Sequence, residues 1–226
     1  MKIWKYWEGP MPSYVERLLY QTNKYSKHEV VILNEKNVWD YVPELSLDVF
    51  KLEKIAHRAD VIRSYILMKY GGVWTDADII FVKNLDFHFD LLDDYNLVCY
   101  NETCTMDPEH RLRIGLLAST PHSQPVIDWN RRQVEFIKKY KRFHWTAIGA
   151  DMLFEAAKPY ANKVKILDIY RSEPIYWSDE QKFHANLNPA DFIKDDTISF
   201  SFHNSRQTNK NFGAQTLGGR LLDLYA

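Results

Sequence analysis

Asp76 and Asp78 stand two residues apart, shortly after the glycine pair Gly71-Gly72, in a chain of 226 residues. Residues i and i+2 of an extended chain point the same way, so the two carboxylates can face one hard cation, directly or through water. Upstream, Asp60 and Arg63 are i and i+3 of a predicted helix and therefore share a face. The carboxylate suits sugar or ribose hydroxyls, and the five-donor guanidinium suits phosphate or sugar oxygens. Together the four side chains describe a site able to hold metal, diphosphate and hydroxyls. An Asp-x-Asp alone is a common coincidence, so its weight comes from what surrounds it.

The surrounding stretch, AHRADVIRSYILMKYGGVWTDADIIFV over residues 56–82, reads as helix, stop and strand. Ile55, Ile62 and Ile66, with Ala59 and Leu67 beside them, recur near the helical period, and the paired glycines supply the C-terminal stop. Val73, Trp74 and Ile79 to Val82 are β-branched or aromatic, with Asp76-Ala77-Asp78 interrupting them where such a strand would leave a sheet. His57 is expected on the helix surface or in a capping role.

This arrangement, A-D-x-x-R on a helix, then G-G, then aromatic-x-D-x-D, resembles the donor-binding core of glycosyltransferase family 32 and its capsular polysaccharide synthesis relatives, and that of the clostridial glucosylating toxins. The opening KIWKYWEGPMP also resembles the family's first strand. The resemblance implies a GT-A type α/β domain over residues 1–226: a nucleotide-sugar-binding, Rossmann-like mixed sheet flanked by helices. It implies transfer of a sugar from a nucleotide-diphosphate donor, a UDP-sugar by likeness to the toxins, with retention of configuration. The hydroxyl acceptor would be a growing cell-surface or capsular polysaccharide or a lipid-linked glycan.

Residue by residue, the resemblance makes Asp76 and Asp78 metal ligands, Arg63 a catalytic and donor-binding cation, and Asp60 a donor ligand. Trp7, in Trp7-Glu8-Gly9, matches the tryptophan that stacks on the base, while Trp4 reads as core. His203, at the end of an apolar alternating strand, matches the residue that completes the metal shell. Imidazole with carboxylates and diphosphate favours Mn²⁺ and leaves Mg²⁺ open. Asp151 lies near the family's Thr-Gly-Pro segment and is a candidate for a sugar hydroxyl; a carboxylate at a helix N-terminus is the plainer account. The chain departs from the family after His203, where Asn204-Ser205 keeps the serine but lacks the tryptophan.

Composition sets the outer limits. The length suits one domain with a sizeable core. A net charge of −1 gives no global pull toward nucleic acid or anionic membrane. Aromatics reach 15%, including seven Trp and fourteen Tyr, which fits either an aromatic-rich core or stacking platforms for sugars and bases. Cys99 and Cys104 are too few for a disulfide framework or zinc site, favouring a reducing compartment. Without a run of 18 apolar residues or a signal-peptide core, the expectation is a cytoplasmic protein with at most peripheral contact at the inner face of the membrane.

The remaining elements are expected as follows. Lys2 to Trp7 and Glu29 to Leu33 read as strands around a helix opened by a Ser13-to-Glu16 capping box and running to about Tyr25. Strands follow at 95–100, 112–119, 164–169, 175–177 and 198–203, with one helix opened by Ser123-Gln124-Pro125 and ending in a basic run to Arg142, and another at 152–158. Asn101 and Glu102 sit at a strand end where a substrate or a plain turn is equally consistent. Asp86, Asp90, Asp93 and Asp94 read as solvated. The basic run Arg131, Arg132, Lys138, Lys139, Lys141 and Arg142 fits an anionic acceptor at a membrane surface, or a solvated helix face with cations at its C-terminus. Residues from about 204 read as a polar tail, ordering over donor or remaining disordered.

A sugar-1-phosphate nucleotidyltransferase would want a Gly-rich basic loop after the first strand, and Glu8-Gly9-Pro10-Met11-Pro12 is not one. A toxin-like protein glycosyltransferase shares every motif and differs in its acceptor. A non-catalytic sugar-nucleotide-binding module would have little use for the intact Asp pair.

Overall fold

The computed structural model describes residues 1–107, 109 and 111–226. In chain order its strands and α-helices are β1 (Ile3–Tyr6), α1 (Ser13–Gln21), β2 (Val30–Leu33), α2 (Val38–Tyr41), α3 (Ile55–Tyr70), β3 (Gly72–Thr75), β4 (Ile79–Phe81), α4 (Phe87–Leu91), β5 (Leu97–Asn101), β6 (Arg113–Ser119), α5 (Gln124–Lys139), α6 (Ala150–Ala157), β7 (Val164–Asp168), β8 (Ser199–Ser201) and α7 (Leu217–Tyr225). Short 3₁₀ turns link several of them.

Six strands form one mixed sheet in the order β2-β1-β3-β6-β5-β7, and β4 pairs with β8 in a second, two-stranded sheet. β1 runs parallel to both β2 and β3, β6 is antiparallel to β3 and β5, and β5 runs parallel to β7. Period-two alternation divides the main sheet's side chains. Trp4, Tyr6, Trp74, Cys99 and Leu117 face a core built with α3 and α5, while Ile3, Val73, Val98, Tyr100 and Leu116 face a second core with α4. A third core joins α1, β4, β8 and α7.

The glycine pair explains how α3 delivers the chain back to the sheet. Gly71 caps the helix at φ 61°, with its N–H donating to Leu67 O. A Cβ on Gly72, at φ 95°, would lie 2.1 Å from Lys2 O, so only glycine lets β3 lie against β1. Trp4 Nε1 donates to Gly71 O at 2.9 Å and fastens the turn.

Several expectations are corrected. The capping box does not form: Pro12 is the N-cap residue, no side chain caps the helix, and α1 ends at Gln21. The stretch from 73 to 82 is two strands in different sheets, because Ile79 N donates to Asp76 O at 3.3 Å and turns the chain between them. Residues 175–177 are no strand; a 3₁₀ turn starts at Trp177. The tail ends in a packed helix, since Leu217, Leu221 and Leu222 of α7 are buried. His57 is also buried: its ring stacks on Phe143 at 4.6 Å and its Nε2 meets Trp145 O at 3.1 Å. No helix among the described residues is long and apolar enough to cross a membrane.

Candidate active site

The site gathers at the carboxyl ends of the parallel strands β1 and β3, where open α/β sheets present their ligand-binding crevice. β3 ends at Thr75, so Asp76 is the first residue beyond it, and its N–H donates to Gly115 O of β6 at 2.7 Å. Trp74 and Asp76 are i and i+2 and do share a side: Trp74 Nε1 donates to Asp76 Oδ1 at 3.1 Å. Arg63, two turns into α3, reaches the same oxygen with Nη2 at 2.7 Å and donates through Nη1 to Ile114 O at 2.5 Å. Its guanidinium lies over the Trp74 ring, 5.0 Å from the centroid. Asp60 completes the group as an ion pair with Arg63 at 3.6 Å.

Burial makes these charges strong. Asp60 is 7% exposed, and desolvation outweighs the Arg63 attraction, pushing its carboxyl up to about 7. Asp76 is raised first by desolvation, which Arg63 opposes, and also by repulsion from Asp78. The side chain of Arg63 is 3% exposed, and its Nε has no hydrogen-bond partner among the described residues. A buried donor without a partner suits an absent acceptor such as a sugar or phosphate oxygen.

Asp78 lies in the turn after Asp76. Its Oδ2 accepts from Asn204 N at 2.6 Å, and its carbonyl accepts from Phe202 N at 2.9 Å, so the C-terminal segment is fastened to it. Tyr14 of α1 holds the same segment, donating to Asn204 Oδ1 at 2.6 Å. Asp76 Oδ2 and Asp78 Oδ1 have no hydrogen-bond partner among the described residues.

His203 stands differently. It adopts φ 51°, its Nδ1 lies 3.3 Å from Ser201 Oγ, and its Nε2 lies 3.1 Å from Ile175 O. Among the described residues, no group of three or more His, Cys, Asp or Glu side chains is arranged to hold a metal ion. The three residues expected to form the metal shell are therefore not gathered into one. Two carboxylates with a free oxygen each still fit a hard cation whose other positions come from substrate phosphate and water, as Mg²⁺ sites commonly do. The preference for Mn²⁺ rested on the imidazole and weakens accordingly.

Trp7 is half-buried at the end of β1, packed against the third core, with Nε1 donating to Gly9 O at 3.2 Å. The adjoining Glu8 is tied to Arg58 of α3 and accepts from Tyr6 OH at 2.8 Å, which fixes this loop beside the helix carrying Asp60 and Arg63. Asp151 stands in the first turn of α6. Its Oδ2 accepts from Thr146 at 2.8 Å and meets His144 Nε2 at 2.8 Å, and it lines an open groove of about 440 Å³ between α5 and α6. The link to the site is Gly149: a Cβ there would lie 2.8 Å from Asp60 Oδ2.

Two residues escape the sequence reading. Lys5 is fully buried in β1, with Nζ 3.4 Å from Asp76 O. Burial pushes its ammonium down to about 7 against the attraction of Asp78 and Asp76. A lone lysine in the apolar run Ile3-Trp4-Lys5-Tyr6 was a readable signal. Glu173, after β7, is raised by burial, an effect opposed by His203 and Arg113 and reinforced by Asp76 and Asp78. It falls in a loop with no motif around it, so nothing in its local sequence marks it.

The family model described as capsular polysaccharide synthesis protein matches residues 1–209. Among solved structures, the PaToxG glycosyltransferase is similar at TM-score 0.52 and 14% identity, over 70% of this chain and 69% of that one. The galactosyltransferase LgtC, solved with donor and acceptor sugar analogues, is similar at TM-score 0.47 and 12% identity, over 76% of this chain and 75% of that one. The six-stranded mixed sheet flanked by helices is the GT-A fold, as in the PaToxG glycosyltransferase. No curated protein matches the chain.

Proposed function

Since the chain belongs to the capsular polysaccharide synthesis protein family, we propose that it transfers a sugar from a nucleotide-diphosphate donor, a UDP-sugar by motif resemblance, to a hydroxyl of a growing cell-surface polysaccharide or lipid-linked glycan. The observation that carries this reading is the Asp60–Arg63–Trp74–Asp76 cluster at the carboxyl end of β3, with Arg63 Nε buried and unpaired beside it. A purely structural ion-pair cluster would not leave a buried donor and two carboxylate oxygens open at a strand end.

Asp76 and Asp78 would hold a divalent cation, Mg²⁺ or Mn²⁺, which when bound neutralises the charge of the departing nucleoside diphosphate. Arg63 orients Asp76 through Nη2 and keeps Nε for a donor oxygen. Asp60 accepts a donor hydroxyl, and its burial makes that hydrogen bond stronger than one in water. Trp7, anchored beside α3, offers its ring to the base. Retention of configuration follows from the family resemblance.

Calorimetric titration of UDP, GDP and CDP, each with Mg²⁺, Mn²⁺ or EDTA, tests the reading. One nucleoside diphosphate should bind only with metal, and Asp78→Asn should lose that binding while keeping the wild-type circular dichroism spectrum. Metal-independent binding, or none to any of the three, refutes it and leaves a non-catalytic module as the better account.

A further inference from the structure

Two segments far apart in sequence meet on the surface beside α3 and the end of α5. Residues 47–55 and 138–145 are joined by Lys141 Nζ to Asp48 at 3.1 Å, by Arg142 to Glu53 at 2.7 Å, and by Lys54 lying over the Trp145 ring at 5.2 Å. Between them they carry six Lys and Arg residues against two carboxylates, Asp48 and Glu53, in a chain whose overall charge is −1. Both carboxylates are already paired within the patch, Asp48 with Lys51 as well, so the surplus is positive.

The same surface exposes large apolar groups. Leu47 is 71% exposed, Tyr140 53%, Trp145 49% and Ile55 45%, four of the ten exposed large hydrophobics among the described residues. Isolated exposed hydrophobics need no explanation. Four on two bridged segments, interleaved with cations, do. We infer that this face docks on an anionic lipid bilayer, with Trp145 and Tyr140 at headgroup depth and the lysines against the lipid phosphates.

Three observations favour lipid over an acidic protein. Five of the six cations are lysine, a residue depleted at protein interfaces but effective as a point charge on anionic lipid. Trp and Tyr are the side chains that settle at a membrane–water boundary, where one end is apolar and the other wet. The apolar residues alternate with charges along both segments: Leu47 and Ile55 flank Asp48 to Lys54, and Tyr140 and Trp145 flank Lys141 and Arg142. The face is also close to the catalytic cluster: Trp145 O meets His57 of α3, one helical turn before Asp60. Docking would bring a membrane-held acceptor to the donor site, though the docking itself does not depend on the donor reading.

The test is cosedimentation of the full chain with vesicles of phosphatidylglycerol and phosphatidylcholine against phosphatidylcholine alone, without nucleotide or metal. Binding should require the anionic lipid and weaken sharply between 0.05 and 0.5 M salt, roughly as the screening length shortens. The triple variant Lys54→Glu, Lys138→Glu, Lys139→Glu should bind about a hundredfold more weakly. Lys24→Glu, Lys27→Glu, Lys210→Glu, of equal charge change on other surface segments, should bind within about threefold of wild type. Trp145→Ala should lose binding severalfold, and a larger share of the binding that remains should be removed by salt. Equal losses in the two triple variants, or no preference for anionic vesicles, would overturn the inference. The nucleotide titration above reads the donor site separately, so the two proposals fail independently.

Discussion

Replacing Asp60 by Asn should reveal how much stability the buried carboxyl costs. The unfolded side chain titrates near 3.8 and the folded one near 7. Between those values the native state holds a proton that the unfolded state has released, so the unfolding free energy falls as pH rises from about 4 to about 7 and is level above. A shift of roughly three pH units corresponds to about 4 kcal/mol at 1.36 kcal/mol each. The attraction of Arg63 at 3.6 Å is already within that figure, since it opposes the larger desolvation. Asn keeps the size and shape but has no proton to release. Urea unfolding followed by tryptophan fluorescence at pH 4.5, 6, 7.5 and 9 should show Asp60→Asn gaining on wild type across this window, then holding a constant advantage. Equal m-values would confirm that the native and unfolded surfaces are unchanged. A difference between the two proteins that is the same at pH 4.5 and pH 9 would refute the reasoning. A carboxyl kept at such cost is expected at a working site, so the same variant should bind the donor more weakly.

Lys5 gives the opposite pH signature. Its ammonium titrates near 7 folded against 10.5 unfolded, so wild-type stability should rise between those values, and Lys5→Met should gain most below pH 7, read by thermal melts at pH 6 and 10. Leu221, fully buried in α7, should cost about 2–5 kcal/mol on truncation to Ala, measured by urea unfolding; a loss below about 0.5 kcal/mol would mean that the C-terminal helix is not part of the cooperative fold.

The order of elements was written in local sequence. The helical period of Ile55, Ile62 and Ile66, the Gly71-Gly72 stop and the Pro125 helix start all appear where the residues place them, because each is a short-range steric or packing rule. Asp60, Arg63 and Asp76 were legible for the same reason: helix periodicity puts the first two together, and the glycine turn brings the third back to them. The capping box, the supposed strand at 175–177 and the loose tail were misread because tertiary contacts decided them. Leu217 and Leu221 look like a weak helix until the core of α1, β4 and β8 gives them a surface to bury.

What residue types and spacing determined alone is the presence of a carboxylate and guanidinium cluster on a helix–glycine–strand unit, and the absence of any framework of cysteines. Only the fold decided how these groups are used. The chain leaves its first sheet at Asp76 to enter another, a turn that the extended i, i+2 rule does not foresee. Asp78 is thereby handed to Asn204, and His203 to Ile175 and Ser201. Lys5 reaches the site because β1 ends beside it, with Nζ 3.4 Å from Asp76 O. Burial and through-space charge act across the chain and leave no periodic trace along it, so their effect on the site appears only once the sheet is assembled.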